Sequence, residues 1–474
     1  MTSSTENLWA AKLGYFALYG GYACFKPFWS ILLTQRDFSS SLIGALTAVQ
    51  PTAKLILLPP ISLYADRTRT SMQISVAAIG LSCIAAMVMT VAVPKFMVGA
   101  ACVVLMIAMT PIAPFFDDHT MSLLRGDSAA DQNDQQQLKN TAAAANGKDQ
   151  QKTPKTTPEE GEADSAKGKA DANALWGNVR VYGSYGWGLA APAASYIWGH
   201  YGWWTSSAGF TLFLAVLAYC MYVSHEYVKN KEPTKKDYAA VVKIIAGDRG
   251  IMAFLFGACF MGFGYALIST FLFIYLKEDL QAPDVLLGLS ISLTVAVEIP
   301  FMTMSGRLHN ALTDVQLFTL AGVGWAIRAF GYSMLTNPWY VLFLEPLHGF
   351  SFALMWLSCV HFFSNAFPKD LGATAFGLLH SSSFGVGPIL GNVIGGQMYQ
   401  RWGPRVMYQR MSVDMLILVG VFLLMIRGRG ANGEKQQNSS QLESIVSPSP
   451  SSNVREEAMR HHEVELEQIG RAHV

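Results

Sequence analysis

The chain has 474 residues, of which 51% belong to the hydrophobic set and only 14% are charged. A soluble domain carries about 25% charged residues, so this composition excludes a typical soluble protein. The formal net charge of +1 gives no sign of a nucleic-acid partner.

Apolar stretches of about 20 residues, long enough to cross a bilayer as a helix, recur along nearly the whole chain. They predict an all-α, polytopic membrane protein with twelve transmembrane helices, six on each side of a polar stretch at 229–250. The predicted spans are 9–34, 41–64, 72–93, 96–122, 176–199, 203–224, 251–276, 284–305, 314–335, 339–366, 371–399 and 407–426.

The charged residues outside the spans are concentrated in two polar segments. Both are too poor in apolar residues to offset the entropy of ordering, so we expect a disordered insert and a disordered tail. The predicted segments are 1–124 (helices 1–4), 125–172 (insert), 173–228 (helices 5 and 6), 229–250 (central loop), 251–426 (helices 7–12) and 427–474 (tail).

The orientation follows from lysine and arginine in the loops, because cytoplasmic loops are enriched in them. The loops on the side of the insert hold most of these residues, whereas the opposite loops hold few, such as Arg36 and Lys95. We expect both termini to be cytoplasmic, in either the plasma membrane or an organelle membrane.

Ionisable side chains within the predicted spans are the strongest functional signal. Each costs free energy in a bilayer and persists mostly when it is paired or placed on a water-filled path. The sequence offers Lys26, Lys54, Asp117, Asp118, His119, Arg180, Glu298, Arg328, Glu345, His348 and His380.

Asp117 and Asp118 end the fourth predicted span, and Arg180 begins the fifth. Helices joined by a loop are often neighbours, so an Asp117–Arg180 pair is reasonable. The alternative is that all three residues are simply solvated at the cytoplasmic end.

Glu345 and His348 are three residues apart and therefore share a helix face. Arg328 and Glu298 lie centrally in the two preceding spans. A carboxylate, a guanidinium and an imidazole on consecutive spans can hold a proton. The alternative is a structural ion-pair cluster, which we weight lower because apolar residues would pack these helices at less cost.

The sequence contains no pattern typical of an enzyme, such as HExxH, GxSxG or a P-loop. The six cysteines lie in apolar stretches without metal-ligand spacing. We therefore predict no enzymatic activity, no metal site and no cofactor.

Three stretches carry a resemblance to a known family: Arg180-Val-Tyr-Gly-Ser-Tyr-Gly-Trp187, Pro114-Phe-Phe-Asp117, and Arg328-Ala-Phe-Gly with Leu347-His348 after it. With the six-plus-six division and the Asp66-Arg67 loop, they resemble the major facilitator superfamily. Within it they are most similar to the lactose permease-like sugar/proton symporters and a poorly characterised related branch. The resemblance implies two pseudo-symmetric six-helix bundles, a central cavity and alternating access.

Carried over from that family, Arg180 and Asp117 would bind substrate hydroxyl groups and Trp187 would stack on an apolar sugar face. Arg328 and His348 would belong to the binding and proton-coupling network.

The cytoplasmic pair Asp66 and Arg67 would take part in gating, with Asp66 as its carboxylate. Ser351 stands where the symporters have their proton-carrying glutamate, and Lys26 and Lys54 have no assigned counterpart. The candidate proton carriers are therefore Glu298, Glu345, Asp117 and Asp118.

These observations predict a secondary active transporter for a small polar solute, sugar-like or nucleoside-like, energised by a proton gradient. Its expected partners are the solute and the lipid bilayer, with no nucleic acid, in a monomer whose insert and tail could bind cytoplasmic proteins. The alternatives are a facilitative or efflux carrier of the same fold, or a non-transporting receptor or adaptor that acts through the insert and tail.

Overall fold

The computed structural model describes residues 4–68, 70–121, 123, 158–224, 245–367 and 372–446. For 4–7, 66, 158–177, 372–376 and 428–446 it describes the backbone alone. The regular structure in these ranges is entirely helical, as the sequence predicts.

Seven labelled helices form the first part of the chain. They are α1 (Ser4–Phe25), α2 (Trp29–Gln35), α3 (Ser40–Thr47), α4 (Val49–Ile56), α5 (Leu58–Thr68), α6 (Ser71–Thr90) and α7 (Lys95–Ala108). A further helical stretch at 112–121 follows α7 after a short break. The side chain of Ser39 caps α3 by accepting from the Leu42 amide, as an N-cap serine commonly does.

Nine more helices follow. They are α8 (Pro158–Tyr201), α9 (Trp204–Ser224), α10 (Arg249–Ile274), α11 (Asp284–Thr303), α12 (Ser305–Ala311), α13 (Asp314–Ser333), α14 (Val341–Ala366), α15 (Gly372–Ser381) and α16 (Gly387–Val446). Thr313 and Gln316 form a capping box that starts α13. Gly403, with φ 77°, breaks α16 at a backbone conformation that glycine adopts readily.

A helix covers each predicted span, but the helices differ in how well they suit a bilayer. Within the described residues, seven helices are long and apolar enough to cross a membrane, and the bent pair Ser40–Ile56 and Leu58–Ala65 brings the number to eight if it is one span. The chain is therefore a multi-pass membrane protein, while twelve crossings in two pseudo-symmetric bundles stay a prediction.

Helix formation extends into both segments that we expected to be disordered. α8 begins at Pro158, inside the predicted insert 125–172, and α16 continues to Val446, inside the predicted tail 427–474. Both extensions are rich in Ala, Glu, Gln or Lys, which favour helix, and proline is well tolerated in a first turn. Helix thus reaches into both segments, while the disorder of the insert and of the tail stays a prediction; residues 124–157 and 447–474 lie outside the described ranges.

The helices pack in two groups that meet mainly at one end. In the first group α1 packs on α8 and α9, and α6 on α7; in the second, α10 and α13 pack on α16, and α11 on α14. The groups meet where α8 contacts α11 and where α3 contacts α16. The end that contains these contacts is called the closed end below.

Glycines bring the backbones together at the closed end. A Cβ on Gly44 of α3 would collide with the carbonyl oxygen of Asn392, and one on Gly288 of α11 would collide with Pro192. Ser292 of α11 donates a hydrogen bond to the Gly188 carbonyl of α8 at 2.6 Å. The contact between the groups is therefore largely one of backbone against backbone.

Aromatic rings and one ion pair complete the closed end. Phe28 of the first group stacks on Phe273 of the second, with 5.8 Å between ring centroids. Lys277 pairs with Asp284 and lies 5.8 Å from the ring of Trp198, across the boundary between the groups. The segments at the other end, α5 and α12, pack mainly on helices of their own group, so the molecule is open towards that end, called the open end below.

Candidate functional site

Two tyrosines of α1, an aspartate and an arginine form the first polar cluster. The Tyr15 hydroxyl donates to Asp117 Oδ1 at 2.6 Å, and Arg180 Nη2 of α8 donates to the Tyr19 hydroxyl at 2.5 Å. The Arg180 guanidinium also lies 4.0 Å from the Tyr19 ring centroid and 5.4 Å from that of Tyr15. Cation–π contacts of this kind are favourable within about 6 Å.

The spacing of the Arg180–Trp187 motif explains how this cluster forms. A Cβ on Gly186 would collide with the Phe16 carbonyl of α1, and one on Gly183 would approach the Tyr19 ring at 2.7 Å. The two glycines therefore let α8 lie against α1 and bring Arg180 to Tyr19. Trp187 is half-buried and packs on the hydrophobic core.

Asp117 and Arg180 belong to one cluster, although Tyr15 lies between them. Its hydroxyl binds the carboxylate and its ring faces the guanidinium, and no direct Asp117–Arg180 ion pair occurs among the described side chains. The predicted direct pair is thus corrected to an indirect one. Asp118 is exposed.

The second polar cluster lies in the other group and is almost completely buried. Arg328 of α13 and Glu345 of α14 are 1% and 4% exposed, with 3.6 Å between Arg328 Nη2 and Glu345 Oε2. Tyr332 connects them, since its hydroxyl accepts from Arg328 Nε at 2.5 Å and donates to Glu345 Oε1 at 2.6 Å. Thr294 of α11 donates to Glu345 Oε2 at 2.6 Å.

His348 lies at the edge of this cluster. Its Nδ1 is 3.9 Å from Glu345 Oε2, and its side chain is 18% exposed. The His348 ring meets Tyr265 of α10 edge to face, with 6.2 Å between centroids. The structure therefore brings together three predicted residues, Arg328, Glu345 and His348, in an arrangement that ties α11, α13 and α14 to one another.

The Tyr332 hydroxyl is expected to contribute measurably to stability. Changing Tyr332 to Phe removes one hydrogen bond to each member of a buried ion pair, and an unsatisfied buried polar group costs about 1–3 kcal/mol. We expect a lower unfolding temperature in detergent. Tyr340→Phe, at an exposed tyrosine, is the control, and equal losses in both variants would contradict this role.

Glu298 differs from Glu345 in its surroundings. It is partly exposed on α11, and no described residue forms a hydrogen bond or ion pair with its carboxylate. Arg180 of the first group lies within electrostatic range of Glu298, and so does Tyr265. Glu298 is therefore within electrostatic range of the first polar cluster, which belongs to the other group.

Basic side chains line the same space. Lys26 lies 5.9 Å from the Tyr22 ring and within electrostatic range of Lys54, which in turn interacts with His380 of the second group, as does Arg180. Lys26 and Lys54 are partly exposed, and neither has a hydrogen-bond or ion-pair partner among the described side chains. Charged groups from both halves thus converge between the two groups.

The predicted gating residues are less defined. Arg67 is exposed, whereas the side chain of Asp66 lies outside the described residues. Their role in gating stays a prediction.

Several residues of the two clusters were not predicted. Tyr15, Tyr19, Tyr332 and Thr294 are uncharged, and a search for intramembrane charge passes over them. Tyr15 and Tyr19 are four residues apart, which places them on one face of a helix. This spacing is the sequence feature that could have identified them as a pair.

Comparisons with known proteins identify the family of the chain. The sequence model of the MFS_1 like family matches residues 8–135 and 168–410. The chain is 26% identical over 190 residues to major facilitator superfamily domain-containing protein 6-like from Danio rerio, which covers 40% of this chain and 35% of that protein. It is 24% identical over 266 residues to maltose permease from Geobacillus stearothermophilus, which covers 55% and 66%.

Solved structures show the same fold. The nucleoside transporter NupG superposes with a TM-score of 0.64 at 13% identity, over 90% of this chain and 99% of that chain. A bacterial homologue of the human lysosomal transporter Spinster, in an inward-facing and unoccupied conformation, superposes with a TM-score of 0.60 at 13% identity, over 90% and 98%. Since the family model matches most of its length, this chain belongs to the MFS_1 like family of major facilitator superfamily transporters.

Proposed function

We propose that the protein is a secondary active transporter that moves a small polar solute, sugar-like or nucleoside-like, coupled to protons. The observation that carries this proposal is the placement of Arg180 and Glu298. They lie on different helix groups within electrostatic range of each other, beside the contact between α8 and α11. Alternating access requires a binding site in this position.

The first polar cluster supplies the solute-binding groups. A guanidinium held against two tyrosine rings presents its remaining N–H groups in a fixed direction, which suits hydroxyl or carbonyl oxygens of a solute. Asp117 can accept from solute hydroxyls, and Trp187 lies seven residues after Arg180, two helical turns along α8. Transporters of sugars and of nucleosides among the related proteins support these two solute classes.

Glu298 is the proposed proton carrier. Its carboxyl group has no hydrogen-bond or ion-pair partner among the described residues, whereas Glu345 has four partners in a closed cluster. The Arg180 guanidinium attracts the ionised Glu298 carboxylate. A solute bound to Arg180 would change this attraction. Binding of solute and binding of a proton would be coupled through that interaction.

The open end is proposed to face the cytoplasm. α5 and α9 are followed in the sequence by segments that contain lysine and arginine, and basic loops are typically cytoplasmic. The conformation would then be inward-facing, like the Spinster homologue that shares the fold. Twelve spans in two bundles would place both termini on this side.

The pair Lys26 and Lys54 favours a solute that carries an acidic group. Two neighbouring ammonium groups repel each other, more strongly as water is excluded, and a bound carboxylate or phosphate would offset that repulsion. A screen should therefore include glucuronate-like and phosphorylated sugars beside neutral sugars and nucleosides, with ligand-induced thermal shift as the measurement. A solute found in this way is then tested for uptake into proteoliposomes with and without an imposed pH gradient.

The proposal predicts a strong effect of Arg180→Lys. Lysine cannot keep the planar contact with the tyrosines or donate several bonds in a fixed fork. Charge-assisted hydrogen bonds contribute about 1.5–3 kcal/mol each, so affinity should fall about 10- to 100-fold, measured by counterflow of the identified solute.

Arg401→Lys, at an exposed arginine, is the matched control. Unchanged counterflow in Arg180→Lys would contradict the assigned binding site. Uptake that ignores the pH gradient would indicate a facilitative carrier, and absence of flux for every solute that shifts the unfolding temperature would overturn the transport proposal.

A further inference from the structure

A group of three potential metal ligands lies at the open end, away from the space between the two helix groups. His309 belongs to α12, Asp314 begins α13, and His361 lies near the end of α14. One ligand atom from each lies within 4.8 Å of the other two. His361 thus meets Asp314 and His309, which precede it by 47 and 52 positions in the chain, at the ends of three helices.

The distances fit a tetrahedral ion. His361 Nδ1 is 2.9 Å from Asp314 Oδ1, and His309 Nε2 is 3.3 Å from the same oxygen. Zinc binds histidine nitrogen and carboxylate oxygen at about 2.0–2.2 Å, and tetrahedral geometry then separates neighbouring ligand atoms by roughly 3.3–3.6 Å. Only small side-chain rotations are needed to admit an ion between these three atoms.

The hydrogen bonds of His309 direct one nitrogen towards this point. Its Nδ1 lies 2.9 Å from the Ser305 carbonyl oxygen, which only accepts, so Nδ1 carries a proton. In the neutral ring Nε2 then bears the lone pair, and this buried atom has no hydrogen-bond partner. A ligating histidine typically donates its other N–H to a backbone carbonyl in the same way.

His361 is held in place by a neighbouring amide. Asn365 Nδ2 lies 3.2 Å from His361 Nε2, one helical turn along α14, while His361 Nδ1 faces Asp314. An amide nitrogen only donates, so Nδ1 can bind a metal ion once the Asn365 amide turns over and its oxygen accepts from Nε2–H. The rings of His309 and His361 lie 4.2 Å apart between centroids. With the amide in that orientation, both histidines would donate their other N–H to an oxygen outside the three ligands, as in known metal sites.

We propose that His309, Asp314 and His361 bind one divalent transition-metal ion, with Zn²⁺ as the best-fitting ion and water as a fourth ligand. Two imidazoles and one carboxylate suit zinc more than magnesium or calcium, which prefer all-oxygen sites. The bound ion would join the open ends of α12, α13 and α14. This inference is independent of the solute and of proton coupling.

The test uses the full-length protein purified in detergent and stripped with a chelator. After dialysis against Zn²⁺, mass spectrometry of the metal content should show one more ion per chain in the wild type than in His361→Gln or Asp314→Asn. Zn²⁺ should raise the unfolding temperature of the wild type but not of these two variants, and Mg²⁺ should raise that of none of them. Co²⁺ should give the visible absorption of a tetrahedral site.

His200→Gln is the matched control, because His200 is an exposed histidine whose Nδ1 also lies near a backbone carbonyl, that of Tyr196. It should bind as much metal as the wild type. Equal metal content in the wild type and in both cluster variants would overturn the proposal, as would absence of any Zn²⁺ shift in the wild type. If a variant elutes as aggregate, the Co²⁺ spectrum of the wild type decides, since an octahedral spectrum contradicts the assigned ligands.

Discussion

Changing Glu298 to Gln is expected to abolish solute accumulation driven by a pH gradient and to preserve exchange of solute across the membrane. Glutamine keeps the size and hydrogen-bonding capacity of the side chain but cannot carry a proton. Exchange needs only the binding site and alternating access, so it should continue at a rate near that of the wild type. Accumulation should fall to the level measured without a gradient.

The measurement is paired uptake and counterflow in proteoliposomes, with Glu278→Gln as the control at an exposed glutamate outside the site. Loss of both activities in Glu298→Gln would show that Glu298 is needed for binding or for the conformational change. Driven accumulation at wild-type level would show that another group carries the proton.

Changing Glu345 to Gln should act mainly on stability. The change leaves Arg328 buried without its counterion, and breaking a buried ion pair from one side costs about 3–5 kcal/mol. We expect a large fall in unfolding temperature and in the yield of folded protein from detergent extraction. The loss should exceed that of Tyr332→Phe, which removes hydrogen bonds and keeps both charges.

The double variant Arg328→Met with Glu345→Leu distinguishes loss of a partner from loss of the pair. Replacing both members of a buried pair by apolar residues of similar volume is often neutral or stabilising, so stability should recover in large part. A Glu345→Gln protein of wild-type stability that loses gradient-driven uptake would instead identify Glu345 as the proton carrier.

The helical class and the positions of the spans could be predicted because apolar length is a local property of the sequence. The roles of Glu298 and Glu345 could not be separated in this way. Both are lone acids in apolar spans, and the difference between them is made by Tyr332 and Thr294, which reach Glu345 from two other helices. Charged residues within the spans identify candidate proton carriers. The packing of the helices determines which of these acids already has a positively charged partner.

Two other features also depend on contacts that are distant in the chain. Tyr15 separates Asp117 from Arg180 although the three residues lie on different helical stretches. The site at His309, Asp314 and His361 has no local spacing pattern, because its ligands come from three helix ends. The helical start of α8 depends on local composition instead. Its alanine and glutamate residues favour helix, whereas the overall polarity of the insert favours the disorder that we predicted.

The glycines of the closed end affect the equilibrium between two conformers, one with the helix groups in contact at that end and one with them separated there. A side chain at Gly44 or Gly288 would be repelled only when the two groups are in contact there, and it would meet no such repulsion once they separate. The full cost would therefore enter the equilibrium between the two states, and each 1.4 kcal/mol or so would shift their ratio about tenfold. If the two groups alternate as proposed, the preference for one conformer would be set in part by the absence of a side chain at Gly44 and Gly288.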